Sequence, residues 1–131
     1  MADHPNAALV RRAMQAMNEM DMSRADEEMA IVDAFMADDI VWHEIGRPEP
    51  RRGKDELRAS MGEMSDVTLK YELHDVVAND EHAIALGTAT ATRNGKTLEY
   101  RTAEIYHIRD GKATERWAFS DDTAAILAFF A

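Results

Sequence analysis

TLEYRTAEIYHIRDGKATERWAFS, residues 97–120, reads as two strands folded back on each other. Thr97–Arg109 and Ala113–Ser120 are rich in β-branched and aromatic residues, and Asp110-Gly111 between them is a strong hairpin signal. Upstream, Asn94-Gly95 makes a second hairpin, joining Thr97–Arg109 to a strand over Ala83–Arg93. Before that, Val67, Leu69, Tyr71 and Leu73 alternate with Thr68, Lys70, Glu72 and His74, the period-two pattern of a half-buried strand. Four successive strands joined by short turns imply a mainly antiparallel meander.

The N-terminal half has a different period. Ala8, Leu9, Ala13, Met14, Ala16 and Met17 recur at helical spacing from Asn6 to Asn18. A second amphipathic helix is expected from Ala25 to Met36, ended by Asp38 and Asp39, and its methionines serve as adaptable core filler. A short strand over Ile40–Glu44 follows, then a loop with Gly46, Pro48 and Pro50, then a helix starting near Gly53. Thr123–Phe130 reads as a short closing helix or apolar tail, with Asp121 and Asp122 as its cap. The expected fold is α+β: helices on one face of a curved, mainly antiparallel sheet, as one domain over residues 1–131.

Charge narrows the partners. The chain has 25 acidic and 15 basic residues, a formal charge of −10, with no clustered basic surface for nucleic acid or an anionic membrane. Arg51, Arg52 and Lys54 stand beside Glu49, Asp55 and Glu56 and read as a solvated loop. The absence of cysteine excludes disulfides and thiolate chemistry. No leader pattern and no apolar run of ~18 residues is present, so the expected location is the cytoplasm. No two histidines have the spacing that would make a metal site with a carboxylate, and no metal or other cofactor is expected.

Two carboxylates stand out. Glu44 shares strand parity with Ile40 and Trp42, so if that face lines a cavity it is a candidate general base. Glu104 lies in mid-strand, where a charge must be solvated, paired or used, and Arg116 on the neighbouring strand is the evident pairing partner. His43 and His107 have the opposite parity, although a bulge at the strand end would turn His43 inward as a further site candidate. His4, His74 and His82 are expected in solvent. Trp117, Phe119 and Ile105 share the face opposite Ala118, and that apolar surface predicts a homodimer through the back of the sheet.

The element order, with IRDGK at Ile108–Lys112, resembles the nuclear transport factor 2-like superfamily, whose fold is a cone with one deep pocket. WAFSDDTAAILAFF, from Trp117 to Phe130, is similar to the tail of many SnoaL-like members, and ADDIVWHEIGRPEPRRG, from Ala37 to Gly53, is similar to the matching stretch of the ketosteroid isomerases. The latter resemblance implies Glu44 as the base and Glu104 as the acid or oxyanion donor. Ala13 falls where those enzymes carry a tyrosine donor, leaving Tyr71, Tyr100 or Tyr106 to substitute. Trp42, Tyr71, Tyr106, Arg116 and Ala118 are the candidate substrate-binding residues. The aspartate and histidine of the SnoaL cyclases correspond to Ala118 and Glu104. The Asp-Arg-Asp set of limonene epoxide hydrolases has no counterpart in the uncharged strand AIALGTATAT, and their tyrosine and asparagine correspond to Trp42 and Glu44. The resemblance implies an isomerase or cyclase acting on a small hydrophobic carbonyl compound. A non-catalytic pocket protein for an apolar ligand, and an epoxide hydrolase-like enzyme lacking the usual triad, are the alternatives.

Overall fold

The computed structural model describes residues 4–18, 25–63 and 66–131. Two helices come first, α1 (Pro5–Asn18) and α2 (Ala25–Phe35), followed by β1 (Met36–Trp42), the two-residue β2 (Arg51–Arg52) and α3 (Gly53–Glu63). The meander is β3 (Thr68–Ala78), β4 (His82–Arg93), β5 (Lys96–Arg109) and β6 (Lys112–Ser120), and α4 (Thr123–Phe130) ends it. The strands form one curved, unclosed sheet in the order β2-β1-β6-β5-β4-β3. All pairings are antiparallel except β1 with β6.

The expected α+β architecture and the two tight turns are present. Asn94 and Asp110 take positive φ ahead of Gly95 and Gly111, the left-handed geometry of an Asn-Gly or Asp-Gly hairpin. One boundary differs from expectation. The helix ends as expected to within one residue, at Phe35, but the strand expected over Ile40–Glu44 begins at Met36, takes in Asp38 and Asp39, and ends at Trp42, before Glu44. Met36 and Ile40 are buried on one side while Asp38 and Asp39 stay exposed, with an irregularity between Met36 and Val41 against β6. The aspartates are therefore part of a strand, and Asp38 pairs with Lys54 Nζ at 3.1 Å, which ties α3 to β1. Nor is the arginine pair simply solvated, because Arg51 is half-buried in the edge strand β2.

The inner face of the sheet carries the core. Ala7, Val10, Ala13, Met14 and Ala16 of α1, with Val32 and Phe35 of α2, pack on Val76, Ala83, Ala85, Tyr106, Ile108 and Ala113. The small residues of α1 let its backbone approach closely, and buried Asn6 fastens its first turn by donating to the carbonyls of Asn79 and Asp80 at 2.9 and 3.1 Å. A second cluster, Ala89, Ala91, Tyr100 and Ile126, lies where α4 meets the far end of β4 and β5. Asp122 caps α4 by accepting from Ala125 N at 3.0 Å, whereas Asp121 instead exchanges hydrogen bonds with the backbone of Arg101.

Gly87 is the close approach on which the site depends. A Cβ there would lie 2.5 Å from Tyr71 Cζ and Oη and 2.6 Å from the Glu72 carbonyl oxygen. The side chain can move, but the backbone oxygen of the paired strand cannot. Gly87→Ala should cost about 1–3 kcal/mol in a urea unfolding midpoint and displace the Tyr71 ring, read as an altered tyrosine spectrum.

Candidate active site

The centre of the inner face is polar. The β5 residues Thr102, Glu104 and Tyr106 alternate inward, opposite Ser120, Ala118 and Arg116 of β6 and Gly87, Ala85 and Ala83 of β4. Glu104 is 7% exposed and Arg116 9%, so neither charge is solvated. They answer each other: Arg116 Nη2 donates to Glu104 Oε1 in a close contact. Arg116 Nη1 donates to the His43 carbonyl at 3.0 Å, and its guanidinium carbon stands 4.2 Å above the centre of the Trp42 ring. Burial pulls the Arg116 pKa down, but the Glu104 charge and the hydrogen bonds to Glu104 and Tyr106 outweigh it, and its pKa is raised. Arg116 Nε is buried with no hydrogen-bond partner, an unmade bond worth about 1–3 kcal/mol.

Two phenols flank the pair. Tyr71, on β3, accepts a hydrogen bond from Thr102 Oγ1 at 3.1 Å. Burial pushes its pKa up to about 12; the Thr102 hydrogen bond lowers it, while Glu104 raises it through charge and hydrogen bonding. Tyr106 is fully buried against Phe35 and is pushed up further, first by burial and then by the Glu104 charge. Tyr100, two turns of alternation away, is raised by the same causes in the same order. All three phenols are therefore neutral hydrogen-bond donors at ordinary pH. The helix position that would offer a donor is methyl only, since Ala13 is buried against the sheet.

Glu44 lies outside this network. It sits in the loop after β1, with its side chain 26% exposed, and takes Arg51 Nε at 2.9 Å and Arg47 Nη1 at 3.9 Å. His43 divides its groups between the two faces. Its carbonyl meets Arg116, but its ring stacks on Trp117 at 5.1 Å and its Nε2 is 2.8 Å from Glu115. The expected residues Trp42, Tyr71, Glu104, Tyr106, Arg116 and Ala118 thus come together on the inner face, whereas Glu44 and the His43 ring do not join them. Thr102 and Arg51 were not among the expected residues. The alternation that selects Glu104 and Tyr106 also selects Thr102, but the Arg51–Glu44 contact spans a loop and leaves no periodic trace.

Of the expected solvated histidines, His74 is exposed and bonds Thr88, His4 bonds Asp80, and His82 instead packs edge-on against His107 at 4.5 Å. Among the described residues no group of three or more His, Cys, Asp or Glu could hold a metal, and no helix is long and apolar enough to cross a membrane. A concavity of about 480 Å³ is lined by Asn18, Lys70, Tyr71, Glu72, Leu73, Thr88, Thr90 and Glu99. Another of about 230 Å³ lies beside Phe129 and Arg93. Glu44 and Glu104 line neither; Tyr71 belongs both to the larger concavity and to the buried cluster.

The phenols supply a test. Their raised pKa values mean the folded state binds protons that the unfolded chain releases, so their stabilising effect is complete below pH ~10 and is lost as pH rises toward about 12. Absorbance at 295 nm should show little phenolate in the native protein at pH 10.5 and, after denaturation at that pH, about three quarters of the full signal of three tyrosines.

The fold has many counterparts. Bal32a, from a soil-derived mobile gene cassette, superposes with a TM-score of 0.83 at 23% identity, covering 97% of both chains. An NTF2-like protein of unknown function from Burkholderia pseudomallei superposes at 0.80 with 19% identity, covering 98% of each. In sequence, the uncharacterized protein Rv0034 of Mycobacterium tuberculosis is 34% identical over 84 residues, which are 61% of this chain and 64% of that protein. The SnoaL-like domain matches residues 10–116, a span from α1 to the Arg116 that closes the buried ion pair, and the chain belongs to that family.

Proposed function

We propose that this protein is a small acid–base enzyme, an isomerase or cyclase, acting on a hydrophobic carbonyl-containing molecule held against the inner face of the sheet. The observation that carries this reading is the Glu104–Arg116 pair flanked by two neutral phenols. In the reaction, Glu44, released from Arg51 and Arg47 and turned toward the inner face, removes a proton from the carbon beside the carbonyl, and the electron pair moves into an enolate. Arg116, with Tyr71 or Tyr106, stabilises the enolate oxygen. Return of the proton at another carbon completes an isomerisation and restores the carboxylate; in a cyclisation the enolate carbon instead attacks a second carbonyl, and the alkoxide formed takes the proton back from Glu44. Glu104, paired as it is, orients the arginine, and the oxyanion donors are Arg116 and the phenols.

A second reading, a non-catalytic protein that binds an apolar ligand, is favoured by one observation. Glu44 is already engaged by Arg51 and Arg47 and must be released to act as a base. Epoxide hydrolysis has less support, because the inward residues of β4 are Ala83, Ala85, Gly87, Ala89 and Ala91. Assayed on hydrophobic enones and β-keto compounds, Glu44→Gln should lose about 10² to 10⁴-fold in rate while retaining the circular dichroism of the wild type. Full rate in the folded variant would move the base elsewhere. Tight binding without turnover by the wild type would favour the binding protein.

We also propose a homodimer through the outer face. Support comes from cross-strand rows of apolar side chains, Ile84 beside Ile105 beside Trp117 and Leu86 beside Ala103 beside Phe119, with Phe119 58% exposed. Trp117→Ala should weaken the dimer by about 2 kcal/mol or more, roughly 30-fold in dissociation constant, in sedimentation equilibrium. A wild-type monomer at micromolar concentration would exclude it.

A further inference from the structure

The charge balance of the buried cluster bears on which ligands it accepts. Arg116 contributes one positive charge and Glu104 one negative charge in direct contact; Trp42, Tyr71, Thr102 and Tyr106 around them are uncharged. Of the arginine's donors, Nη1 is taken by the His43 carbonyl and Nη2 by Glu104, while Nε is buried without an acceptor. At least one strong donor, the Nε–H, is thus unpaired in a site whose net charge is already zero.

We propose that Glu104 is a selectivity residue, which neutralises Arg116 so that the site accepts an uncharged carbonyl ligand and rejects a carboxylate. This deepens the preceding reading and rests on it for the location of the site. A neutral carbonyl oxygen entering beside Trp42 accepts from Arg116 Nε or a phenol and leaves the ion pair intact. A carboxylate entering the same place loses its water and meets the Glu104 carboxylate, with the only countercharge of the cluster already spent. Without Glu104, the same guanidinium becomes an uncompensated buried cation and favours an anion, with its planar fork matched to a carboxylate. Glu104 thereby acts through Arg116 rather than on the ligand.

The probes are 2-acetylnaphthalene and 2-naphthoate, of similar apolar bulk and different charge, titrated calorimetrically into the full chain at pH 7. The wild type should bind the ketone about tenfold or more tighter than the carboxylate, and Glu104→Gln should lower that ratio by about tenfold or more, through a gain in naphthoate affinity. Equal or tighter naphthoate binding by the wild type overturns the inference while leaving a ligand site in place. An unchanged ratio in folded Glu104→Gln overturns it as well. Failure of both probes to bind wild type and variant removes this inference together with the reading on which it rests. Circular dichroism checks the variant, and if it does not fold, the wild-type ratio alone decides.

Discussion

The Glu104–Arg116 ion pair is the interaction on which the interior is organised. Taking two charges out of water costs several kcal/mol per ion, and removing one partner from such a pair costs about 3–5 kcal/mol. The surroundings are arranged to hold the pair together. Ala85 and Ala118 flank Glu104 in the register and leave it room, Trp42 covers the guanidinium face, and the His43 carbonyl takes a second donor. These last two contacts exist because β1 pairs with β6 in parallel, setting Trp42 beside Arg116. The one parallel pairing in the sheet and the buried pair therefore depend on each other.

Much of this was legible in the chain, for a simple reason. Alternation is a local property, so the strands of the meander and the shared face of Thr102, Glu104 and Tyr106 follow from a period of two and a two-residue turn. What alternation does not carry is a bulge. Counting back from Arg109 opposite Lys112 in a regular hairpin sets Arg116 opposite Ile105, facing outward. The register shift between His107 and Ile108 moves it to Tyr106 and turns it inward. Thr114 sits at this shift, its hydroxyl donating to the His107 carbonyl at 3.3 Å. The start of β1, directly after α2, was hidden for another reason. Apolar residues run through both elements, and Asp38 and Asp39 look like helix-ending residues although they are the exposed part of a strand. The two-residue β2 is too short to have a period at all.

The site residues divide along the same line. Those on the long strands share one face, as parity requires; those in the loop after β1 are placed by contacts that parity does not predict. Parity assigns Glu44 to the side of Ile40 and Trp42, but the strand ends at Trp42, and Arg51 from β2 then sets where the carboxylate lies. In a chain with ten more acidic than basic residues, each buried or half-buried arginine is a scarce partner. Two of them hold the two carboxylates that the resemblance singled out, and they hold them apart, one in the dry interior and one at the wetter rim.

His43 joins the two faces of the sheet. Its carbonyl accepts from Arg116 on the inside, while its ring lies parallel to Trp117, within 3°, and its Nε2 reaches Glu115 on the outside. Its backbone N–H also donates to the Arg116 carbonyl at 2.8 Å, so the residue is fixed to β6 by main chain and side chain together. A close-packed contact of this kind transmits displacement rather than absorbing it. If the Trp117 face is covered by a second subunit, the ring of His43 is held by that interface, and with it the carbonyl that orients the guanidinium. Packing on the back of the sheet and charge geometry inside it then become one mechanical problem, solved at a single residue at the end of β1.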